Sequence, residues 1–271
     1  MASESIGARF RALHMGDEAF VIPNPWDVGS AALLAALGFT ALATTSSGFA
    51  ASVAKLDGRT SRVEAIDHCR TLVAATPLPV SADLEQGYGD RPEDAAETVR
   101  AAAAAGLAGC SIEDYAGHGS DKGIYDFDHA VERAHAAAEA ARALPEDFVL
   151  TVRAENLIRN RPDVDDTIRR LQAFEAAGAD VLYAPGLADI ETVRTVCAAV
   201  TKPVNVLIGR TTDMTVKDLS AAGAKRISVG GALTWVAYGA MIKAARGMIE
   251  DGRFDYGDTP GMAGISDLLK A

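Results

Sequence analysis

The segment Ala176-Ala177-Gly178-Ala179-Asp180-Val181-Leu182-Tyr183 decides the architecture. It reads as the end of an alanine-rich helix, a glycine free to take the left-handed backbone that stops a helix, and a short apolar strand. The pattern recurs. Ala35-Ala36-Leu37-Gly38-Phe39 leads into the apolar run to Thr44, Ala104-Ala105-Gly106-Leu107 into Gly109-Cys110-Ser111-Ile112-Glu113, and Ala221-Ala222-Gly223-Ala224 into Arg226-Ile227-Ser228-Val229. Prolines take the glycine's place before Val80, Phe148 and Val204. Extended along the chain, the reading gives strands near 20–24, 41–46, 79–85, 109–114, 148–155, 180–185, 203–207 and 226–231. Helices follow near 28–37, 60–75, 92–106, 128–143, 164–177, 188–199, 215–222 and 232–250. Strict alternation, with strands apolar on both faces, implies a parallel sheet. Eight such units fit a closed (β/α)8 TIM-type barrel, which takes about 250 residues. The alternative, a doubly wound open sheet, lacks a Gly-x-Gly-x-x-Gly after the first strand.

Composition agrees with one domain over residues 1–271, of which 49% are hydrophobic. A formal net charge of −11 argues against a nucleic-acid surface and for small-molecule chemistry. Three scattered cysteines (Cys69, Cys110, Cys197) form no metal-ligand pattern and suit a reducing compartment. Met1 to Phe10 lacks the apolar core of a signal peptide, and no uncharged apolar run reaches the roughly 18 residues of a membrane span. The expectation is a cytoplasmic protein. Residues 251–271 fall outside the eight units and read as a tail that docks on the barrel or on a neighbouring subunit.

A barrel of this kind keeps its active site at the C-terminal ends of the strands, so the polar residues there are the candidates. The third strand runs into Ser81-Ala82-Asp83-Leu84-Glu85-Gln86-Gly87-Tyr88-Gly89-Asp90. Alternation in a strand would point Asp83 and Glu85 to one face, where they repel unless a cation sits between them. Mg2+ is the natural ion, with Mn2+ a possible substitute, since a hard divalent cation needs only one or two carboxylates plus waters. Glu113 and Asp114 end the fourth strand, Arg153 and Glu155 the fifth, and Asn205 lies on the seventh. Asp83, Glu85, Glu113 and Glu155 thus converge on one mouth. Arg153 offers a planar fork for a substrate carboxylate, or a structural partner for Glu155. The backbone of Ser47-Gly48-Phe49 suits an oxyanion or carboxylate if it forms an open turn. His118, in the glycine-rich stretch 117–121, is either a mobile acid/base or a solvated loop residue.

These residues resemble the isocitrate lyase/phosphoenolpyruvate mutase superfamily. The similarity runs from Pro23-Asn24-Pro25-Trp26-Asp27 to Gly230-Gly231. It is most specific at Ser47-Gly48, Asp57, Asp83-x-Glu85-x-Gly87-Tyr88-Gly89, Ser111-Ile112-Glu113-Asp114 and Val152-Arg153-Ala154-Glu155. The resemblance implies a Mg2+-dependent barrel acting on a 2-oxo or 2-hydroxy carboxylic acid. Asp83 would bind the metal, with Glu85 and Glu113 holding it through waters. Asp57 would lie near the substrate, Arg153 would take its carboxylate, and Ser47–Phe49 its oxo-acid end. It also implies a homo-oligomer, a dimer of dimers in which a C-terminal helix is exchanged. The chain departs from the family pattern where reactions are chosen. Glu85 stands for an aspartate, and the loop Tyr115 to Lys122 holds neither the lyases' Lys-Lys-Cys-Gly-His motif nor the mutases' lysine after Glu-Asp. The expected activity is a carbon–carbon lyase working through a metal-stabilised enolate. The alternatives are a phosphonopyruvate-type mutase or hydrolase of P–C bonds, and a non-catalytic 2-oxo-acid-binding barrel.

Overall fold

The structure, a computed structural model, describes residues 5–117, 123–257 and 261–270. Eight parallel strands curl into a nearly closed (β/α)8 barrel. They are β1 (Phe20–Ile22), β2 (Leu42–Ala43), β3 (Val80–Asp83), β4 (Gly109–Glu113), β5 (Val149–Arg153), β6 (Val181–Tyr183), β7 (Val204–Leu207) and β8 (Arg226–Ser228). Their order around the sheet is β1-β8-β7-β6-β5-β4-β3-β2. The gap between β1 and β2 is bridged locally: Ala43 N–H donates to Pro23 O at 3.0 Å. Asn24 completes the closure. Its Nδ2 donates to Thr44 O at 3.0 Å, and its Oδ1 accepts from Val229 and Gly230 N–H at 2.9 Å each.

The helices that alternate with the strands are α2 (Val28–Ala36), α4 (Arg62–Ala74), α5 (Pro92–Ala104), α6 (Phe127–Arg142), α7 (Val164–Ala177), α8 (Ile190–Ala198), α9 (Val216–Ala221) and α10 (Ala232–Glu250). Two more were not foreseen, α1 (Ile6–Leu13) and α3 (Ser46–Ser52), and the tail forms the C-terminal helix α11 (Met262–Lys270). The repeated glycine works as read, since Gly38, Gly106, Gly178 and Gly223 all have φ between +86° and +108°. Helix starts are equally explicit. Ser61 with Glu64 and Thr215 with Asp218 form reciprocal capping boxes, which satisfy otherwise orphaned N–H groups. Most strands are shorter than the expected runs, as at β3, which ends at Asp83 before a turn closed by Gly87 N–H on Leu84 O.

α5 and α6 pack on each other, and most of the residues they bury are alanines, Ala95, Ala102, Ala134 and Ala137 among them. Below the barrel, α1 plugs the N-terminal ends of the strands. Phe10 is fully buried and packs with Ile22, Ala108 and Val149, while His14 meets Phe10 edge to face at 4.8 Å. Burial holds the His14 imidazole neutral, with its pKa down near 3. The close approach of β4 to β5 needs Gly109: a Cβ there would lie 2.4 Å from Val149 O and 3.1 Å from Phe10 Cε1. Gly109→Ala is expected to cost about 2–3 kcal/mol, read as a lower urea midpoint at unchanged m-value. An unchanged midpoint would show that the two strands can part at no cost.

Candidate active site

The strand ends place a compact charge cluster at the C-terminal mouth, and its hub is Arg153, the last residue of β5. Its NH1 donates to Asp83 Oδ1 at 2.9 Å, and its Nε and NH2 donate to Glu155 Oε1 at 2.9 and 2.6 Å. Glu113 Oε2 lies 3.3 Å from NH2, and the guanidinium sits 4.8 Å over the Tyr183 ring. Three strands therefore deliver three carboxylates to one arginine. These acids raise Arg153 well above its ordinary pKa against the opposing effect of burial. Both expected roles of Arg153 bear on this geometry: it pairs with Glu155, and it stands at the centre of the mouth.

Asp83 is held from a second side. Its Oδ2 accepts from Ser46 Oγ at 3.0 Å, and its own N–H donates to Thr44 Oγ1 at 3.0 Å. Glu155 is fully buried and accepts on Oε2 from Arg159 Nε at 3.2 Å. The Arg159 guanidinium in turn lies 3.8 Å over the Tyr115 ring. Beneath these groups is a cavity of about 50 Å3 lined by Thr44, Asp83, Ser111, Arg153, Tyr183 and Asn205, among others. A larger hollow, about 650 Å3, lies at the opposite end of the barrel around Arg11. Arg11 is already ion-paired there to Asp147 and Asp180 at 3.1 and 2.7 Å, so the convergent polar groups favour the small cavity as the site.

Glu85 requires a correction. The strand ends at Asp83, and Glu85 has φ +49°, so strand alternation does not set its side chain beside Asp83. The chain has to turn here to reach α5, and Gly87 N–H closes that turn on Leu84 O at 2.9 Å. The electrostatic expectation survives by another route. Burial, Asp83 and Asp57 together push the Glu85 carboxyl up to about 8, and its Oε1 is buried with no hydrogen-bond partner. Glu113 is pushed well above the ordinary carboxylate range, first by burial and then by Glu155. Asp114 serves the scaffold: its Oδ1 accepts Glu155 N–H at 2.8 Å and its Oδ2 pairs with Arg170 at 3.0 Å.

The Ser47–Phe49 segment is likewise not an open turn. It lies in the first turn of α3, where Gly48 N–H bonds to Thr45 Oγ1 at 3.3 Å and Phe49 N–H to Thr45 O at 3.0 Å. Two of its three amides are therefore used by the helix cap. Phe49 stacks on His68 with ring centroids 3.9 Å apart. Asn205 lines the cavity, with Oδ1 accepting from Arg226 Nε at 2.8 Å and Nδ2 donating to Ser228 Oγ at 3.0 Å. His118 lies outside the described residues. Thr44 and Ser46 end the second strand's polar run but were given no role, and Tyr183 and Arg159 were missed by the sequence reading. Of the last two, only Arg159 carried a signal, four residues beyond Glu155.

The donor chemistry fits a hard divalent cation. The oxygens of Asp83, Glu85 and Glu113 are of the right type, and one of them is a buried, unbonded carboxylate oxygen. Burial and the neighbouring acids raise the pKa of two of these carboxyls, Glu85 and Glu113. Among the described residues no group of three or more His, Cys, Asp or Glu is arranged to hold a metal directly. A cation here would take few carboxylates and fill its shell with water or substrate.

The family described as phosphoenolpyruvate phosphomutase matches residues 10–249. A structure described as a putative lyase/mutase from Burkholderia cenocepacia is 50% identical, with TM-score 0.93, covering 98% of this chain and 95% of that one. Oxaloacetate acetylhydrolase in complex with oxalate is 27% identical with TM-score 0.87, covering 98% and 94%. The 2-methylisocitrate lyase of Escherichia coli is 28% identical over 211 residues, 75% of this chain and 70% of its own.

Proposed function

Because the chain belongs to the isocitrate lyase/phosphoenolpyruvate mutase superfamily, whose members include lyases, mutases and hydrolases of small acids, we propose that it is a Mg2+-dependent carbon–carbon lyase. Its substrate is a small 2-oxo or 2-hydroxy carboxylic acid. The observation that carries the reading is Arg153 gathered with Asp83, Glu113 and Glu155 at the strand ends. A divalent ion held by Asp83, with Glu85 and Glu113 behind waters, would supply Lewis-acid polarisation of the substrate's 2-oxygen.

The residues of the chain do the rest. A substrate carboxylate takes the NH1 side of Arg153 in exchange for Asp83, which would release Asp83 Oδ1 toward the cation while Ser46 keeps its bond to Oδ2. Glu155 keeps the rest of the guanidinium fixed from its own buried position. Asp57, beside Glu85, faces the substrate. For a 2-hydroxy acid the hydroxyl gives up its proton and the C2–C3 bond breaks. The C2 oxygen becomes a carbonyl, and the electron pair passes to C3 as an enolate that is then protonated. The apolar residues left uncovered on α10 and α11 (Val236, Met241, Ile249, Met262) support a homo-oligomer, with the C-terminal helix as its contact.

The reading is tested by NMR of the purified protein with oxaloacetate, phosphonopyruvate, isocitrate, 2-methylisocitrate and dimethylmalate, with Mg2+ or with EDTA. Pyruvate, glyoxylate, succinate or oxalate is expected only with Mg2+. A new phosphorus resonance would move the assignment to P–C chemistry. Glu113→Gln is expected to lower turnover by about 100-fold or more, in line with the loss of one preorganised electrostatic group. Binding without turnover of any acid would overturn the lyase assignment in favour of a binding barrel.

A further inference from the structure

Glu85 sits in a turn whose backbone is unusual. Glu85 and Tyr88 have φ +49° and +60°, and Gly87 has +90°. Two non-glycine residues in the left-handed region within four positions persist only where the surroundings over-determine them. The surroundings here are side chains of α5, of α6 and of Tyr125 just before α6, which bond the turn's carbonyls and the Asp90 carboxylate. Thr98 Oγ1 donates to Gly87 O at 2.7 Å. His129 Nε2 lies 2.8 Å from Asp90 O, and Tyr125 OH donates to Asp90 Oδ1 at 2.7 Å.

Arg133 contributes most. It is almost wholly buried, and its hydrogen bonds go to carbonyls rather than to carboxylates. NH1 donates to Gly89 O at 2.9 Å and to Arg91 O at 3.0 Å, and NH2 donates to Gln86 O. Its flat face rests on the Tyr125 ring, 4.6 Å from the centroid. One side chain on α6 thus spans the turn from Gln86 to Arg91. A fork of five donors in one plane can do this, whereas a lysine offers a single nitrogen.

We propose that Arg133 is the positioning residue of the mouth: it binds the carbonyls of the 86–91 turn and so holds Glu85 in the left-handed conformation that places its carboxyl beside Asp57 and Asp83. It touches neither substrate nor cation and acts through Glu85. The inference rests on the divalent-site reading for its consequence, and on the turn alone for its mechanism, so the two are tested separately.

Arg133→Met and Arg133→Lys are measured in the full chain by urea denaturation, by Mn2+ binding followed by electron paramagnetic resonance, and by amide hydrogen exchange. For Arg133→Met, exchange in peptides covering residues 84–91 is expected to accelerate at least 10-fold while β5 to β8 keep wild-type rates. Mn2+ affinity is expected to fall at least 10-fold, with Arg133→Lys recovering part of both losses. If Arg133→Met does not fold, Thr98→Val, which removes only the bond to Gly87 O, carries the test with an expected loss of about 3-fold. A folded variant with Mn2+ affinity within 2-fold of wild type and unchanged exchange in the turn overturns the proposal. Absence of Mn2+ binding by the wild-type protein would sink the divalent reading instead, and the exchange measurement would still decide the role of Arg133.

Discussion

Arg153→Met is expected to abolish turnover, by 1,000-fold or more, and to destabilise the folded protein at the same time. The first effect follows from the loss of the proposed carboxylate anchor and of the charge around which the mouth is built. The second follows from the partners left behind. Asp83, Glu113 and Glu155 lose a shared cation while Glu113 and Glu155 remain buried. Breaking a buried pair from one side costs about 3–5 kcal/mol. Protonation offers the acids an escape, so the deficit in urea should shrink as the pH is lowered from 8 to 5. Arg153→Lys separates the two roles. It restores a positive charge but not the fork, so stability should largely return while activity stays at least 100-fold down, by the logic of a bidentate site. Equal recovery of both in Arg153→Lys would mean that Arg153 is a charge-balancing strut and that the substrate carboxylate is held elsewhere.

The architecture was legible because it rests on local chemistry that repeats. A glycine at positive φ after an alanine-rich helix, at Gly38, Gly106, Gly178 and Gly223, needs no tertiary information to be recognised. Nor do the acids at the strand ends, since the barrel fixes which end carries the site. What the sequence did not reveal depends on where a strand stops. Asp83 and Glu85 look alternate on paper, yet the turn into α5 reverses the backbone at Glu85 and brings its carboxyl toward Asp57 by a different path. Ser47–Phe49 looks like a loop, yet Thr45 caps it into a helix. Arg133 acts across 40 or more residues onto carbonyls, and no spacing rule announces an arginine that serves another segment's backbone. The two arginines differ in visibility for that reason: Arg159 is four residues from its acid, Arg133 is remote from its turn.

The titration of Glu85 yields the second large effect, and its sign is fixed by the direction of the shift. Burial and its acidic neighbours raise the folded-state pKa from an ordinary 4.5 to about 8. Between those values the folded protein keeps a proton that the unfolded chain has released. Folding therefore takes up a proton, and stability falls as pH rises through this window, until the contribution is fully lost above pH 8. At 1.36 kcal/mol per unit, the upper bound on that loss is about 5 kcal/mol. Glu85→Gln removes the charge while keeping the shape. In EDTA the variant should match wild type near pH 5 and exceed it by about 1–3 kcal/mol at pH 8.5. Added Mg2+ should reverse the order, because a cation at Asp83 and Glu85 stabilises the ionised wild type and has little to gain from the amide. Thermal melts at two pH values, with and without Mg2+, give all four numbers. If Glu85→Gln is the less stable protein at pH 8.5 in EDTA, its carboxylate is satisfied by the protein itself, and the mouth has no need of a divalent ion.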